Sequence, residues 1–474
     1  MALAPGDYII YIFVSIEFII AAGLTGETNM ETGVKSFGAK GDGRADDWAA
    51  LQRAIVETQG ALVFGPGTFR ISKGLVVDLN KRGKTEILGR GARIIAHGAE
   101  PALHFIGTHA GTADPKDVSA EVWARESTPV IRGLEILAEH PEADGIRLEL
   151  TWQPILSQVT VRDCRHGIHL VKRNRNVIIS ECHVYHNRGV GIFLDGVNLH
   201  QIIVNTNHIS YNAQGGIKLS KAEVRNIQIC GNDIEYNFAK TGAQDIAADV
   251  WFLADNRGIR EATIVGNTIQ ALRTPGGANV RIEGLREAGN RKAGLLNITG
   301  NLITSQECNI LILDSRGVAI QGNTFILGPK RNIRVVGSAC VAIGPNTLDH
   351  NPDYDSNART EGGVEIEGCT ACTVSGLCLQ NEHGGDVTGG VIEVRNSSMI
   401  NVTGCILIEP ARAGVVLAGT RDSRVSDCII RSGRHAVAED SSSQNNMIVN
   451  NRVSGPGISS EGTGTVLSGN VHKE

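Results

Sequence analysis

Residues 167–194 read GIHLVKRNRNVIISECHVYHNRGVGIFL, and the same pattern returns along most of the chain. It consists of G-I-x-L, a polar gap and a second phrase that is clearest as I-x-x-G-N-x-I. Copies of the first phrase begin at Gly167, Gly191 and Gly216, and the spacing is about 22 to 33 residues. Units this short hold brief strands with no helix between them, so they bury an apolar face only by stacking on one another. The repeat therefore predicts a solenoid.

The composition fits a solenoid and excludes some classes of protein. The 474 residues include 57 Gly and only 13 Pro, which suits tight turns between strands rather than disorder. Lys and Arg total 45 against 50 Asp and Glu, so the basic excess typical of a nucleic-acid binder is missing. Aromatic residues make up 4%, so stacking on a sugar must depend on a few rings, such as Trp123, Trp152 and Trp251.

The ten cysteines are predicted to be structural. Cys164 with Cys182, and Cys405 with Cys428, are expected to hold one turn position in successive copies. In other copies the same position holds Asn207, Asn232, Asn267, Asn301, Asn323 and Asn451. Small side chains stacked inside a turn explain this pattern, so we expect buried, reduced thiols rather than a disulfide framework. The C-x-x-C at 369–372 has no second pair, and no zinc site is predicted.

Residues 1–33 form a separate segment whose role stays open. An apolar run from Tyr8 to Leu24 has about the length of a signal-peptide core or a short membrane span. No Lys or Arg precedes Lys35, so the basic region of an export signal is missing. An export signal, a strand pair on the solenoid end and a start at Met30 are the alternatives. Secreted, periplasmic and cytoplasmic locations therefore remain open, and residues 34–474 are expected to form one β-helix with an N-terminal cap.

Residues 34–71 predict that cap. A strand enters a Gly-rich turn, Asp46 and Asp47 supply an N-cap, and a helix is expected over 48–58. The phrases FGAKGDGRADD (37–47) and FGPGTFRI (64–71) resemble the N-terminal signature of the pectate-lyase-like superfamily. The resemblance implies an all-β fold, a single-stranded right-handed parallel β-helix with a short N-terminal capping helix. It implies function less closely, because that superfamily includes polysaccharide lyases, glycoside hydrolases, epimerases, fructotransferases and phage tailspikes.

Strand alternation predicts which side chains of each repeat face solvent. In G-I-x-L-x the Ile and Leu face the core, so the two x positions point outward. The first outward column is predicted to read Arg147, His169, Phe193, Lys218, Trp251, Arg281, Leu311 and Arg334. The second is predicted to read Glu149, Val171, Asp195, Ser220, Leu253 and Glu283. Insertions at 238–248, 271–278, 350–362 and 382–389 are expected to border one edge of this face. We therefore expect a groove there that binds a polysaccharide or oligosaccharide. The resemblance also implies that this first sheet carries the catalytic groove.

Two chemistries fit these columns. For β-elimination at a uronic acid, Lys218 is the candidate base, and Arg147 or His169 holds the uronate. For hydrolysis or transfer, Glu149 and Asp195 lie two coils apart, about 9–10 Å, near the upper end of the roughly 6.5–9.5 Å of inverting enzymes.

Other residues widen the choice of site. Glu235 and Asp245 form a second candidate carboxylate pair. Trp251 is a candidate sugar platform. Arg281 and Glu283 are candidate substrate contacts, although pairs such as these also occur on any solvated sheet face.

The sequence thus predicts a carbohydrate-active enzyme, lyase or glycosidase. The alternative is a non-catalytic glycan-binding or tailspike-like β-helix. The N-T-D, D-D, G-H-G and R-I-K series of polygalacturonases and the D-P-H-E run of alginate epimerases are missing. No cofactor is expected, no metal ligand set is predicted, and no dense Asp cluster supports calcium. No nucleic acid or membrane partner is expected for the β-helix, and a homotrimer is a candidate assembly.

Overall fold

The structure is a computed structural model. It describes residues 32–111, 114–237, 246–287, 289–350, 361–381, 389–409 and 411–473. Residues 1–31 lie outside the described ranges, so the role of the N-terminal segment and the division at residue 33 stay predictions. Asp245 and most of the insertions at 238–248, 350–362 and 382–389 also lie outside them.

The described strands form three parallel sheets that run along the solenoid. The first sheet contains Leu75–Asp78, Leu103–Ile106, Ile146–Trp152, the first parts of Ile168–Ser180 and Ile192–Asn205, Ile217–Ser220, Ala248–Leu253, Ala278–Glu283, Cys308–Leu313, Arg331–Val336, Val364–Glu367, Gly390–Arg395, Ala413–Ala418, Val437–Glu439 and Ile458–Ser460. The second contains Thr32–Gly33, Gly60–Val63, the first parts of Thr85–Ala96 and Val130–Ala138, Ile155–Ser157, the second parts of Ile168–Ser180 and Ile192–Asn205, Glu223–Cys230, Ile259–Val265, Ala293–Thr299, Ser315–Gln321, Ala339–Ile343, Thr370–Ser375, Ser398–Thr403, Arg424–Ser426, Met447–Val449 and Val466–Ser468. The third contains Asp42–Asp46, Gly67–Ile71, the second parts of Thr85–Ala96 and Val130–Ala138, Thr160–Arg162, His183–Tyr185, His208–Ser210, Asp233–Glu235, Thr268–Gln270, Leu302–Thr304, Thr324–Phe325, Thr347–His350, Cys378–Asn381, Ile406–Glu409, Ile429–Ser432, Arg452–Ser454 and Val471–Lys473.

A few short elements complete the fold. Arg286–Glu287 and Asn290–Arg291 form a small antiparallel hairpin beside the solenoid. The described helical segments are Val34–Phe37, Trp48–Glu57, Leu79–Arg82, Pro115–Asp117 and Val122–Glu126. Among the described residues, none of these is long and apolar enough to cross a membrane.

Each strand pairs in parallel with its equivalent in the next coil. Ile168 pairs with Ile192, and Ile192 with Ile217, so the repeated phrases stack in register. The Ile and Leu of these phrases are fully buried in one continuous core. The structure therefore confirms the predicted single-stranded right-handed parallel β-helix.

The predicted capping helix spans Trp48–Glu57 and covers the N-terminal end of the solenoid, with Leu51 and Ile55 buried. The Gln52 side chain accepts from Val76 N and donates to Val76 O, both at 2.9 Å. This amide satisfies the backbone of the outermost first-sheet strand, whose edge would otherwise lack partners. The expected N-cap is confirmed in part: Asp47 is the N-cap residue, but its carboxylate accepts from the Lys40 and Gly41 amides of the Gly-rich turn and from no amide of the helix. The Trp48 amide donates to Asp46.

An asparagine ladder forms the corner between the second and third sheets. Each Asn side chain bonds the backbone or side chain of its neighbour in the next coil. Its members include Asn207, Asn232, Asn267, Asn301, Asn323 and Asn346, with Asn451 and Asn470 further along. The predicted turn position is therefore confirmed, and Cys405 and Cys428 share it. One assignment was wrong: Cys182 bonds Asn207 in this corner, whereas Cys164 bonds Asn187 at a different corner. All ten thiols are free, and Cys340 and Cys378 are exposed.

A second asparagine ladder forms the corner between the third and first sheets, and it ends at the buried residue Asp249. Asn187, Asn212 and Asn237 follow one another, and Asn237 then donates to Oδ1 of Asp249 from its backbone and its side chain. Asp249 is 1% exposed, and burial raises its pKa to about 8. Oδ2 of Asp249 accepts from Asn279, whose own Oδ1 has no hydrogen-bond partner within the described ranges. Asp249 therefore occupies a ladder position at which an Asn side chain would satisfy the neighbouring amides better than a carboxylate does.

Replacing Asp249 by Asn is expected to stabilise the protein by about 2 kcal/mol near pH 7. The folded-state pKa lies above the ordinary value of 3.8, so the folded state binds more protons and loses stability as pH rises from about 4 to about 8. An Asn there removes this loss, and rotation of the Asn279 amide supplies its acceptor. Urea denaturation at several pH values measures the gain, which should grow with pH. A gain independent of pH, or a loss of stability, would contradict this explanation; Asp163→Asn, at an exposed position, is the control.

Candidate functional site

The strand registers place the predicted outward columns on the first sheet. Arg147, His169, Phe193, Lys218, Trp251, Arg281, Leu311 and Arg334 follow one another in successive coils. Glu149, Val171, Asp195, Ser220, Leu253 and Glu283 form the second column in the same way. His104 precedes Arg147, and Glu365 and Glu393 follow Arg334. The first sheet thus carries a strip of mostly polar and aromatic side chains, which Val171, Leu253 and Leu311 interrupt and in which His169 and Arg281 are buried.

The centre of this strip is a chain of three groups that leads from the interior to the surface. Asp144 is fully buried, and His169, 5% exposed, donates from Nδ1 to Asp144 Oδ2 at 2.7 Å. Nε2 of His169 lies 3.6 Å from Oδ2 of Asp195, whose side chain is 40% exposed. Within the described ranges Nε2 has no hydrogen-bond partner. The imidazole is therefore oriented from behind and directed at an accessible carboxylate.

Asp144 is held as a carboxylate by its neighbours. Arg165 donates to both of its oxygens, from Nε and Nη2, each at 2.8 Å. Burial alone would raise the pKa of Asp144, but the hydrogen bonds from His169 and Arg165 outweigh it and hold the pKa well below its ordinary value. His169 also stacks on Phe193, with ring centroids 5.3 Å apart. The ring is thus fixed on one edge by a charge and on one face by an aromatic ring.

Lys218 follows in the coil after Asp195 and lies against Trp251. Its Nζ is 3.7 Å from the centroid of the indole ring. Burial lowers the pKa of Lys218, while the charges of Glu283 and Asp195 oppose this shift. Trp251 donates from Nε1 to Glu283 Oε1 at 2.9 Å, and the Arg281 guanidinium is 5.8 Å from its ring. Since Lys218 and Arg281 belong to the coils on either side of Trp251, a sugar would reach the edge of this ring more readily than its faces.

Glu149 and Arg147 lie at the other end of the strip. Glu149 pairs with Lys172 at 2.5 Å and with Nε2 of His104 at 3.2 Å. Burial would raise the pKa of Glu149, but these two partners lower it below its ordinary value. Nε of Arg147 is buried and has no hydrogen-bond partner in the described part of the chain. Glu149 pairs in register with Val171, and Val171 pairs with Asp195. Glu149 and Asp195 are therefore two coil steps apart, as predicted.

The structure thus brings Asp195, His169 and Lys218 together, and it groups Trp251 with Arg281 and Glu283. Glu235, the alternative carboxylate, lies on the third sheet beside Asp233. Trp152 is 1% exposed, packs with Val118 and Val122 and contacts His109 and Trp123, so it is not a sugar platform.

Sequence reasoning missed Asp144, Arg165 and His166. They lie just before the glycine of the first phrase, at the corner that precedes the first sheet. Burial lowers the pKa of His166 to about 4, and its Nδ1 accepts from the Val190 amide at 3.0 Å. The signal in the sequence was a cluster of Asp, Arg and His immediately before two successive repeats, at 144 and 165–166.

A cavity of about 250 Å³ opens further along the same sheet, next to the insertion at 271–278. Its lining includes Gly276, Glu307, Lys330, Arg331, Arg334 and Glu365. Lys330 pairs with Glu307 at 2.7 Å, and Arg331 pairs with both Glu365 and Glu393 at 3.2 Å. The charged side chains of this cavity therefore form ion pairs with one another. This makes the cavity a weaker catalytic candidate than the strip around Asp195.

Comparison with known families agrees with this architecture. The family described as right handed beta helix region matches residues 122–269 and 284–472, and the family described as rhamnogalacturonase A/epimerase, pectate lyase-like, matches residues 32–133. The chain therefore belongs to the right-handed β-helix family, within the pectate-lyase-like superfamily that residues 37–47 and 64–71 predicted. Among curated proteins, none matches the chain by sequence.

Solved structures share the fold at low sequence identity. A tailspike protein mutant of E. coli bacteriophage HK620, in complex with a pentasaccharide, has a TM-score of 0.52 and 10% identity, and the match covers 92% of this chain and 80% of that one. The Dettilon tailspike protein gives 0.49 and 15%, covering 88% and 68%. The A-module of a mannuronan C-5 epimerase from Azotobacter vinelandii gives 0.44 and 13%, covering 94% and 100%. At these identities the similarity shows the fold alone.

Proposed function

We propose that this protein is an enzyme that cleaves a polysaccharide on its first sheet, with Asp195 as the group that transfers a proton to the glycosidic oxygen. The observation that carries the proposal is the chain from Asp144 through His169 to Asp195. Nε2 of His169 and the Asp195 carboxyl are close enough to share a proton after a small side-chain rotation. A buried, oriented imidazole next to an accessible carboxyl group can exchange a proton with it, and the carboxyl group can then transfer that proton to a bound substrate.

The second group of the reaction is Glu149. Its lowered pKa keeps it ionised, which suits the carboxylate that accepts a proton from the attacking water. Two coil steps separate Glu149 from Asp195 by about 10 Å, which is closer to the inverting than to the retaining spacing. In this reaction water attacks the anomeric carbon as Glu149 accepts its proton. The glycosidic C–O bond breaks as Asp195 protonates the leaving oxygen.

Elimination is the second candidate reaction, and the environment of Lys218 favours it. Burial lowers the pKa of this lysine, so its neutral form is more accessible as a base than on an open surface. In that reaction Lys218 accepts the C5 proton of a uronate, the C4=C5 double bond forms, the C4–O bond breaks and water protonates the leaving oxygen. Arg147, which the sequence suggested as the group that holds the uronate, lies three coil steps or about 14 Å along the axis from Lys218, too far to bind the carboxylate of the same sugar.

Two measurements separate these reactions and test the proposal. Incubation with a panel of acidic and neutral glycans should release oligosaccharides. Absorbance of an unsaturated uronate in the products would identify elimination, and its absence, with inverted anomeric configuration by NMR, would identify hydrolysis. If no glycan of a broad panel is cleaved although one binds, the protein is the glycan-binding alternative.

A homotrimer stays a prediction for either activity. Solved tailspike proteins share the fold, but their likeness to this chain extends to the fold alone. Sedimentation equilibrium of the full chain gives the assembly directly.

A further inference from the structure

The third sheet carries a second group of chemically active side chains that the proposed reaction does not use. His208 pairs in register with Asp233, and Ser210 with Glu235, on two neighbouring strands. Between these positions Ile209 and Ile234 are fully buried, so His208, Asp233 and Glu235 point outward on the same face. We call these three residues the third-sheet triad.

The geometry of the triad matches that of a ligand set. One ligand atom from each residue can be chosen so that all three lie within 4.8 Å of one another. Nε2 of His208 is 3.8 Å from Oδ2 of Asp233, and these side chains are 36% and 46% exposed. Ligand atoms around a tetrahedral ion with bonds of about 2.1 Å lie roughly 3.4 Å apart. Small rotations of exposed side chains supply the difference.

The charges of the triad also favour a cation. Asp233 and Glu235 are two residues apart on one strand, and a carboxylate oxygen of each lies within 4.8 Å of the other. Two carboxyl groups this close repel when both are ionised, and a dication between them removes that repulsion.

We propose that the third-sheet triad binds one divalent transition-metal ion, with zinc as the probe. The imidazole selects this class of ion, because calcium and magnesium prefer sets made of oxygen atoms alone. The ion would connect two successive coils through His208 and the two carboxylates. Three protein ligands leave a coordination position for water or for a ligand. This inference is independent of the reaction on the first sheet and differs from the expectation that no metal ligand set is present.

Isothermal titration with zinc chloride tests the proposal. The full chain is used after chelator treatment, without a histidine tag, and with Cys340→Ser and Cys378→Ser, because exposed thiols would compete for zinc. One equivalent should bind. His208→Ala, Asp233→Asn and Glu235→Gln should each weaken the affinity at least about tenfold. The matched control is His97→Ala, which removes a histidine that pairs with Glu139 at 2.9 Å outside the triad.

The remaining outcomes contradict the proposal. Absence of zinc binding, or equal affinity in the three triad variants and the parent, would show that these residues are not ligands. Calcium binding as tight as zinc binding would contradict the assigned class of ion. Circular dichroism of each variant confirms that any loss of binding occurs in a folded protein, and two conservative variants remain informative if His208→Ala does not fold.

Discussion

Replacing Asp195 by Asn should lower turnover of the cleaved glycan at least about 100-fold, because an amide cannot transfer the proton that the glycosidic oxygen needs. Asp195 is 40% exposed and lies on the surface of a solenoid whose core it does not enter. The free energy of unfolding should therefore change by less than about 0.5 kcal/mol. Steady-state kinetics on the glycan identified by the panel, with urea denaturation of the same samples, measures both quantities.

A matched surface variant controls for the loss of a negative charge. Asp427 is also exposed and pairs with Arg424 at 3.1 Å, at the corner after the second sheet. Asp427→Asn should leave turnover unchanged. If Asp195→Asn keeps full activity, Asp195 is not the proton donor and the elimination reaction with Lys218 becomes the leading alternative.

Replacing Asp144 by Asn should destabilise the protein by about 3 kcal/mol. Asp144 is fully buried, and it accepts hydrogen bonds from Arg165 and His169. The Asn side chain presents an NH2 group to one of these donors and leaves the guanidinium with only the exposed Glu142, 3.4 Å away, as a counter-charge. Urea denaturation near pH 7 measures the loss. Asp163→Asn, which removes an exposed partner of Arg162 on the same coil, should cost less than about 1 kcal/mol.

The same Asp144 variant tests whether this carboxylate positions His169 for the reaction. At a temperature where the variant is fully folded, kcat should fall while KM stays close to that of the parent, because Asp144 lies behind the imidazole and does not reach a substrate. The pH profile of kcat should also shift, since the partner of His169 has changed. Unchanged kcat and pH profile in a destabilised variant would make Asp144 a purely structural residue.

The fold was predictable because its determinants are local and repeated. Gly167, Gly191 and Gly216 set the register, and alternation of Ile and Leu then separated core from surface over many coils. The outward columns around Lys218 and Trp251 followed from the same count.

The site was predictable only in part. Distance in the sequence hid the contact between Asp144 and His169, which are 25 residues apart and meet because they lie on neighbouring coils. The burial of Trp152 and the contact of Trp251 with Lys218 depend on side-chain packing, which the repeat pattern does not specify. Corner residues were also mispredicted in part: the Asp47 carboxylate serves the Gly-rich turn and Cys164 belongs to a different ladder from Cys182, because turn length, which is irregular here, decides where such side chains point.

The most direct test of the account is the structure of the Asp195→Asn variant with a glycan that the parent cleaves. The account predicts that the glycan lies along the first sheet, that the uncleaved bond is next to position 195, and that Glu149 faces its other side. Density for the glycan confined to the cavity lined by Glu307 and Glu365, with none next to position 195, or density on the third sheet would contradict it.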